Sequence, residues 1–241
     1  MSNALLIARR ELGSYLSSFL GFIVLAAVLL GEGIYFNYFG IGTGAKLSAD
    51  VLREFFNTAT GGTMILSIVL AMRLLAGERD HGTLVLLNTA PVKDSEIVGG
   101  KFLAALGLVA LHLVLTLHMP LLVIVNGKVA AGHVIVGYLG VLLLGGAALA
   151  IGMFGSALAK NQIIAVVIGA VLLAVFVMWW MVARVADPPL NTFLAGLALH
   201  HERQRPFMTG VLRLENVVYY VGVAYFFLLA ATKTLEARRW R

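Results

Sequence analysis

Few side chains in this sequence stand where they could do chemistry, and those few are isolated from one another. Glu32 lies between Gly31 and Gly33 inside a long apolar run, and an ionisable group so placed is costly and marks a functional candidate. The run ends close by at Tyr38, so an interfacial position for Glu32 is the competing reading. Arg184, near the end of another apolar run, carries the same ambiguity and is the candidate partner for Glu32. His112 and His118 share one run but stand six residues apart, whereas paired metal ligands on a helix favour a spacing of about three or four. They read instead as hydrogen-bonding groups between neighbouring helices. His200, His201 and Glu202 are adjacent on a polar stretch and read as a solvated cluster.

Catalytic constellations are missing. No G-x-S-x-G elbow occurs, so nothing exposes a serine nucleophile in that manner. A phosphate-binding P-loop needs Ser or Thr after its lysine, but Gly127-Lys128 is followed by Val129 and Gly100-Lys101 by Phe102. With no cysteine in the chain, disulfides and thiolate metal sites are excluded. The expectation is no catalytic residue, no metal site and no cofactor held by this chain.

The elements that must position these residues are membrane spans. Of 241 residues, 60% are hydrophobic and 12% charged, against about a quarter charged in soluble domains. Mean hydropathy is +0.93, and the length allows about six spans of roughly 20 residues. No soluble ATPase, receptor or nucleic-acid domain fits in the remainder. The net charge of +6 is spread between apolar runs, as topology signals and lipid contacts are. Nucleic-acid footprints cluster, so membrane lipids are expected as partners and nucleic acid is not.

Six spans are expected at about 19–38, 55–75, 101–125, 134–158, 163–186 and 217–231, in an all-α, single transmembrane domain covering 1–241. The first run is too long for a signal-peptide core and is read as a retained span. Ahead of it, Leu5, Leu12, Tyr15, Leu16 and Phe19 share one helical face, with Arg9, Arg10 and Glu11 largely off it. That pattern predicts an amphipathic helix lying in the interface, or else a plain extension of span one. Gly145, Gly146, Ala150, Gly152 and Ser156 give span four a small-residue stripe for close helix approach, within the subunit or across a dimer. Asp187-Pro188-Pro189 stops span five. Two short apolar pieces follow, on either side of 200–205, and read as short interfacial or re-entrant helices. Lys and Arg are biased toward the side holding both termini and the 72–102 segment, which predicts cytoplasmic N- and C-termini.

That segment, between spans two and three, is more than a turn. After Glu78, Arg79 and Asp80 it contains TLVLLNTAP, in which Leu84, Val85 and Leu87 make an apolar face too short to cross a membrane. RLLAGERDHGTLVLLNTAP at 73–91, EIVGGKF at 96–102, ARREL at 8–12, KNQIIA at 160–165, ENVVYY at 215–220 and LEARRW at 235–240 together resemble the permease subunits of ABC-2 type ABC transporters. The gliding-motility-associated permeases are the nearest subfamily. The resemblance follows the chain in order from end to end.

The resemblance implies a permease subunit of an ATP-driven exporter in a bacterial inner membrane, paired with a second permease copy or a related permease. A separate ABC ATPase subunit would bind ATP and Mg. It also implies a cytosolic coupling helix between spans two and three, so Glu78, Arg79, Gly82, Thr83, Leu84, Leu86, Leu87 and Pro91 are the candidates for ATPase coupling. The charges at 78–80 would then rim the contact. The short helices after Pro189 would be the outer re-entrant pair, with Glu32 and Arg184 as a candidate outer gate. One departure is Gly77, where family members often carry a second acidic residue. A membrane scaffold that passes ATPase motion to partner proteins is the alternative. A secondary transporter would place ionisable residues near the midplane of interrupted helices and show internal repeats, and neither is seen.

Overall fold

A computed structural model describes residues 3–42, 46–80, 82–83, 92–127 and 129–239. Every regular element among them is helical: α1 (Asn3–Ser17), α2 (Phe19–Tyr35) running on into a π-helical turn (Phe36–Ile41), α3 (Ser48–Leu74), α4 (Ala76–Asp80), α5 (Asp94–Leu115), α6 (His118–Asn126), α7 (Ala131–Leu158), α8 (Gln162–Val185), α9 (Leu190–Leu197), α10 (His201–Met208) and α11 (Leu214–Arg239).

Among the described residues, six stretches are long and apolar enough to cross a membrane: Gly21–Ile41, Ser48–Asp80, Asp94–Asn126, Ala131–Leu158, Gln162–Val185 and Leu214–Arg238. They coincide with the six expected runs, but several helices extend well beyond the apolar part. The second begins at Ser48 rather than near Phe55, and the third at Asp94 rather than Lys101. Apolar content marks what can be buried in lipid, while capping decides where a helix starts. At the start of α5 the Glu96 carboxylate accepts hydrogen bonds from the Lys93 backbone N–H at 3.0 Å and from Asn3 Nδ2 at 3.2 Å.

The third span is divided. Helix α5 stops at Leu115 and α6 begins at His118. Pro120 explains the break, because it has no N–H for the Thr116 carbonyl and its ring crowds that carbonyl. The freed groups are taken up locally: the Met119 N–H reaches the Thr116 carbonyl at 3.0 Å, and Thr116 Oγ1 donates to the Leu113 carbonyl at 2.8 Å.

Helix α7 is the most enclosed of the six and packs against α3, α5, α8 and α11, whereas α2 and α8 are the least enclosed. The small-residue stripe makes this packing, and it does so within the subunit. A Cβ on Gly152 would come within 2.6 Å of the Ala71 Cβ, one on Gly145 within 2.7 Å of Thr63 Cγ2, and one on Gly155 within 2.8 Å of the Gly169 backbone. Such close approach gains dispersion contacts where lipid offers no hydrophobic drive to assemble helices.

Helix α1 lies on α5 so closely that a Cβ on Gly100 would stand 2.6 Å from the Ala4 carbonyl. Tyr15 is buried, with Leu12 packed against the same core, while Leu5, Leu16 and Phe19 of the expected apolar face are exposed.

Candidate functional site

The densest polar construction lies where α3 ends. The backbone leaves regular helix at Leu75, which frees amide groups at the junction with α4. Ser156, near the end of α7, meets them: its Oγ accepts from the Leu75 and Ala76 N–H groups at 3.2 and 2.9 Å and donates to the Met72 carbonyl at 3.2 Å. The hydroxyl is fully buried, so this one group satisfies donors that would otherwise be costly to leave unpaired.

Each charged residue of Glu78-Arg79-Asp80 then reaches a different helix. The Arg79 guanidinium donates to the Ser156 carbonyl at 3.4 Å, to Ala157 at 2.9 Å and to Ala159. These carbonyls end α7, where the helix dipole is negative and unsatisfied acceptors collect. Arg238 of α11 joins them, donating to the Leu158 carbonyl at 2.6 Å. Asp80 accepts the Gln162 backbone N–H at 3.1 Å, at the start of α8. Glu78 Oε1 lies 2.7 Å from Lys101 Nζ of α5, which also holds Glu11 Oε1 of α1 at 2.9 Å. Lys101 is only 1% exposed, and two carboxylates against one buried ammonium keep it paired on both sides.

The chain leaves this hub through a tight turn. Gly82 has φ +69°, a left-handed conformation that glycine adopts without steric cost. Its N–H bonds to the Arg79 carbonyl at 3.0 Å, as the Thr83 N–H does to Glu78 at 2.9 Å. Thr83 Oγ1 donates to Glu78 Oε2. Glu78, Arg79, Gly82 and Thr83 are therefore brought together, with the two charged side chains half-buried and bonded to neighbouring helices. Gly77 faces Gln162, whose Nε2 would lie 3.5 Å from a Cβ there, so a longer acidic side chain would meet α8. Leu84, Leu86, Leu87 and Pro91, together with Val85, lie outside the described residues.

Beside the hub, a cavity of about 280 Å³ is lined by Glu11, Tyr15, Arg73, Glu78 and Thr83 among others. The Arg73 guanidinium lies 5.7 Å from the centre of the Tyr15 ring. Burial first, and the Glu11 carboxylate second, hold the Tyr15 hydroxyl pKa above its ordinary value. Sequence reasoning missed Lys101, Glu11, Ser156 and Arg238 as members of the hub. The readable signal was Lys101 itself, a lone lysine heading an apolar run.

Toward the far end of the bundle the expectations are corrected in part. Glu32 is buried, and it stands beside His112 and not Arg184. Its Oε1 lies 3.2 Å from His112 Nε2, and a Cβ on Gly62 would collide with the carboxylate. Among the described residues, Glu32 Oε2 and His112 Nδ1 are buried with no hydrogen-bond partner. Arg184 instead lies over the Trp180 ring at 4.5 Å, and His201 stacks on the same residue with centroids 4.4 Å apart. His201 and Glu202 remain exposed, as expected of a solvated cluster, and His200 is half-buried. His118 bonds within its own segment, Nδ1 to the Leu115 carbonyl at 2.8 Å. Burial first, and His201 second, hold the His200 pKa below its ordinary value.

Two short helices lie here, α9 on the first expected apolar piece and α10 (His201–Met208) mainly on the polar 200–205 stretch rather than on the second piece, and both are tied to α11. Arg203 donates to the Gly196 carbonyl at 2.9 Å and lies over the Tyr219 ring at 4.1 Å. The Tyr219 hydroxyl donates to the Leu197 carbonyl at 2.6 Å, and buried Gln204 lies 3.0 Å from the Tyr220 hydroxyl.

In comparisons with known proteins, a family model described as ABC-2 family transporter protein matches residues 15–178. No individual curated protein matches the sequence.

Proposed function

The chain belongs to the ABC-2 transporter family, and on that premise we propose that it is the permease subunit of an ATP-driven exporter whose energy comes from a separate ABC ATPase. Residues 83–91 serve as the coupling segment that seats on that ATPase, with Leu84, Leu86, Leu87 and Pro91 at the contact. Glu78, Arg79, Gly82 and Thr83 carry its motion inward. ATP and Mg are bound by the partner. The working unit is a dimer with a second copy or a related permease, one ATPase engaging each half. The membrane is a bacterial inner membrane, with both termini cytoplasmic, and the gliding-motility-associated permeases are the subfamily it resembles. Helix α1 lies in the cytoplasmic interface, and α9 and α10 form the outer re-entrant pair.

One observation carries this reading: the root of the 83–91 segment is bonded at once to Lys101 of α5, to the end of α7 and to the start of α8 through Glu78, Arg79 and Asp80. A push on that segment is delivered to three spans together. Nucleotide would then shift a conformational equilibrium by binding one state better than the other. Glu32, with His112 rather than Arg184, is the candidate for the outer gate. The test is co-purification with the candidate ATPase in lipid nanodiscs, wild type against Leu87→Asp. The reading expects the wild type to bind and stimulate the ATPase and the variant to do neither. A wild-type chain that neither binds nor stimulates any ABC ATPase would sink it.

A further inference from the structure

Away from the hub, α2 and α3 leave a lateral groove of about 550 Å³ lined by Ala27, Gly31, Tyr35, Gly61 and Ile65, with Asn57 at one end. The lining from Ala27 to Tyr35 covers roughly 12 Å of helix at the standard rise. Asn57 also lines a second cavity of about 430 Å³, together with Arg53, Arg184, Arg205, Glu54, His200 and His201. An apolar trough and a basic basin therefore meet at one residue. Among the described residues, Arg53, Arg184 and Arg205 form no ion pair. Three arginines against the single Glu54 leave two uncompensated arginine charges in the basin.

We propose that these two cavities form one binding site for an acidic amphiphile, a lipid with a phosphate head group. The head sits among Arg53, Arg184 and Arg205, which can offer paired N–H donors to phosphate oxygens, and the tail lies in the α2–α3 groove. The orientation follows from the two linings: the arginines are confined to the basin, while the groove between α2 and α3 is mostly apolar and suits the tail. As a ligand site the inference stands by itself; as the substrate class of the exporter it rests on the permease reading above.

The experiment uses the full chain in detergent, titrated with phosphatidic acid, with phosphatidylcholine of the same acyl chains and with inorganic phosphate, read by native mass spectrometry. Phosphatidic acid is expected to bind at least tenfold more tightly than phosphatidylcholine. Arg53→Gln with Arg205→Gln should remove that preference. Gly61→Phe, where a Cβ meets nothing within 4 Å, should weaken both lipids by filling the groove. Equal affinity for the two lipids, competition by inorganic phosphate at the concentration of phosphatidic acid, or variants that bind like wild type would each overturn the proposal. A photoactivatable phosphatidic acid on the unmutated chain gives a reading independent of how the variants fold. Adducts on α2 and the first half of α3 support the site, and adducts confined elsewhere overturn it. None of these arms contains an ATPase, so failure here leaves the permease reading standing, and failure of ATPase binding leaves this one.

Discussion

Lys101 holds two carboxylates from two other helices, Glu78 at 2.7 Å and Glu11 at 2.9 Å, and is itself fully enclosed. Removing its charge leaves both carboxylates facing each other without compensation, and breaking a buried pair in this way costs about 3 kcal/mol or more. Lys101→Met is therefore expected to lower the thermal midpoint of the purified protein markedly, and adding Glu78→Gln should recover part of the loss. A midpoint unchanged by Lys101→Met would show that the ammonium is not structural. His200 gives a prediction of the opposite kind. Its folded-state pKa is depressed, so the unfolded chain takes up a proton first as pH falls. Stability is then full above the unfolded value of about 6.5 and declines as pH drops from there through the folded value. Thermal midpoints at pH 7.5 and 5.5 should fall further for wild type than for His200→Gln; parallel falls would remove His200 from the account.

At the scale of elements, the six apolar runs were legible because lipid sets a length and a composition that few other environments demand. The helix ends were not, since Ser48–Phe55 and Asp94–Lys101 are helical but polar in content. The break before His118 was signalled by Pro120, which the apolar length of the run masked. The hub was half legible: Glu78 and Arg79 could be marked as important, but their partners lie 23 and 78 residues away, and a single sequence carries no sign of such pairings. Glu32 and His112, 80 residues apart, are the same case. The small-residue stripe yields the element-scale prediction. Gly152→Val must push α7 from α3, because Ala71 already lies 2.6 Å from where the first carbon would go. Overpacking of that kind costs about 1–3 kcal/mol. Gly132→Val, where nothing lies within 4 Å, is the control and should stay close to wild type. Equal thermal midpoints for the two variants would mean that the α3–α7 contact yields freely.

For the whole molecule the central claim is mechanical: the hub passes movement of the 83–91 segment to spans that reach the far end of the bundle. The chain has no cysteine, so spin labels can be placed without background. Tyr38 and Val185, 76% and 87% exposed, end the first and fifth spans away from the hub and tolerate a label. Arg79→Gln unties the segment from the α7 carbonyls while leaving residues 83–91 intact for the ATPase. The measurement is the distance distribution between labels at 38 and 185 in the ATPase complex, with and without ATP, for the unmodified hub and for Arg79→Gln. The account predicts a nucleotide-dependent shift that is lost or strongly reduced in the variant although the ATPase still co-purifies. A shift of equal size in both, or none with the intact hub, would contradict it.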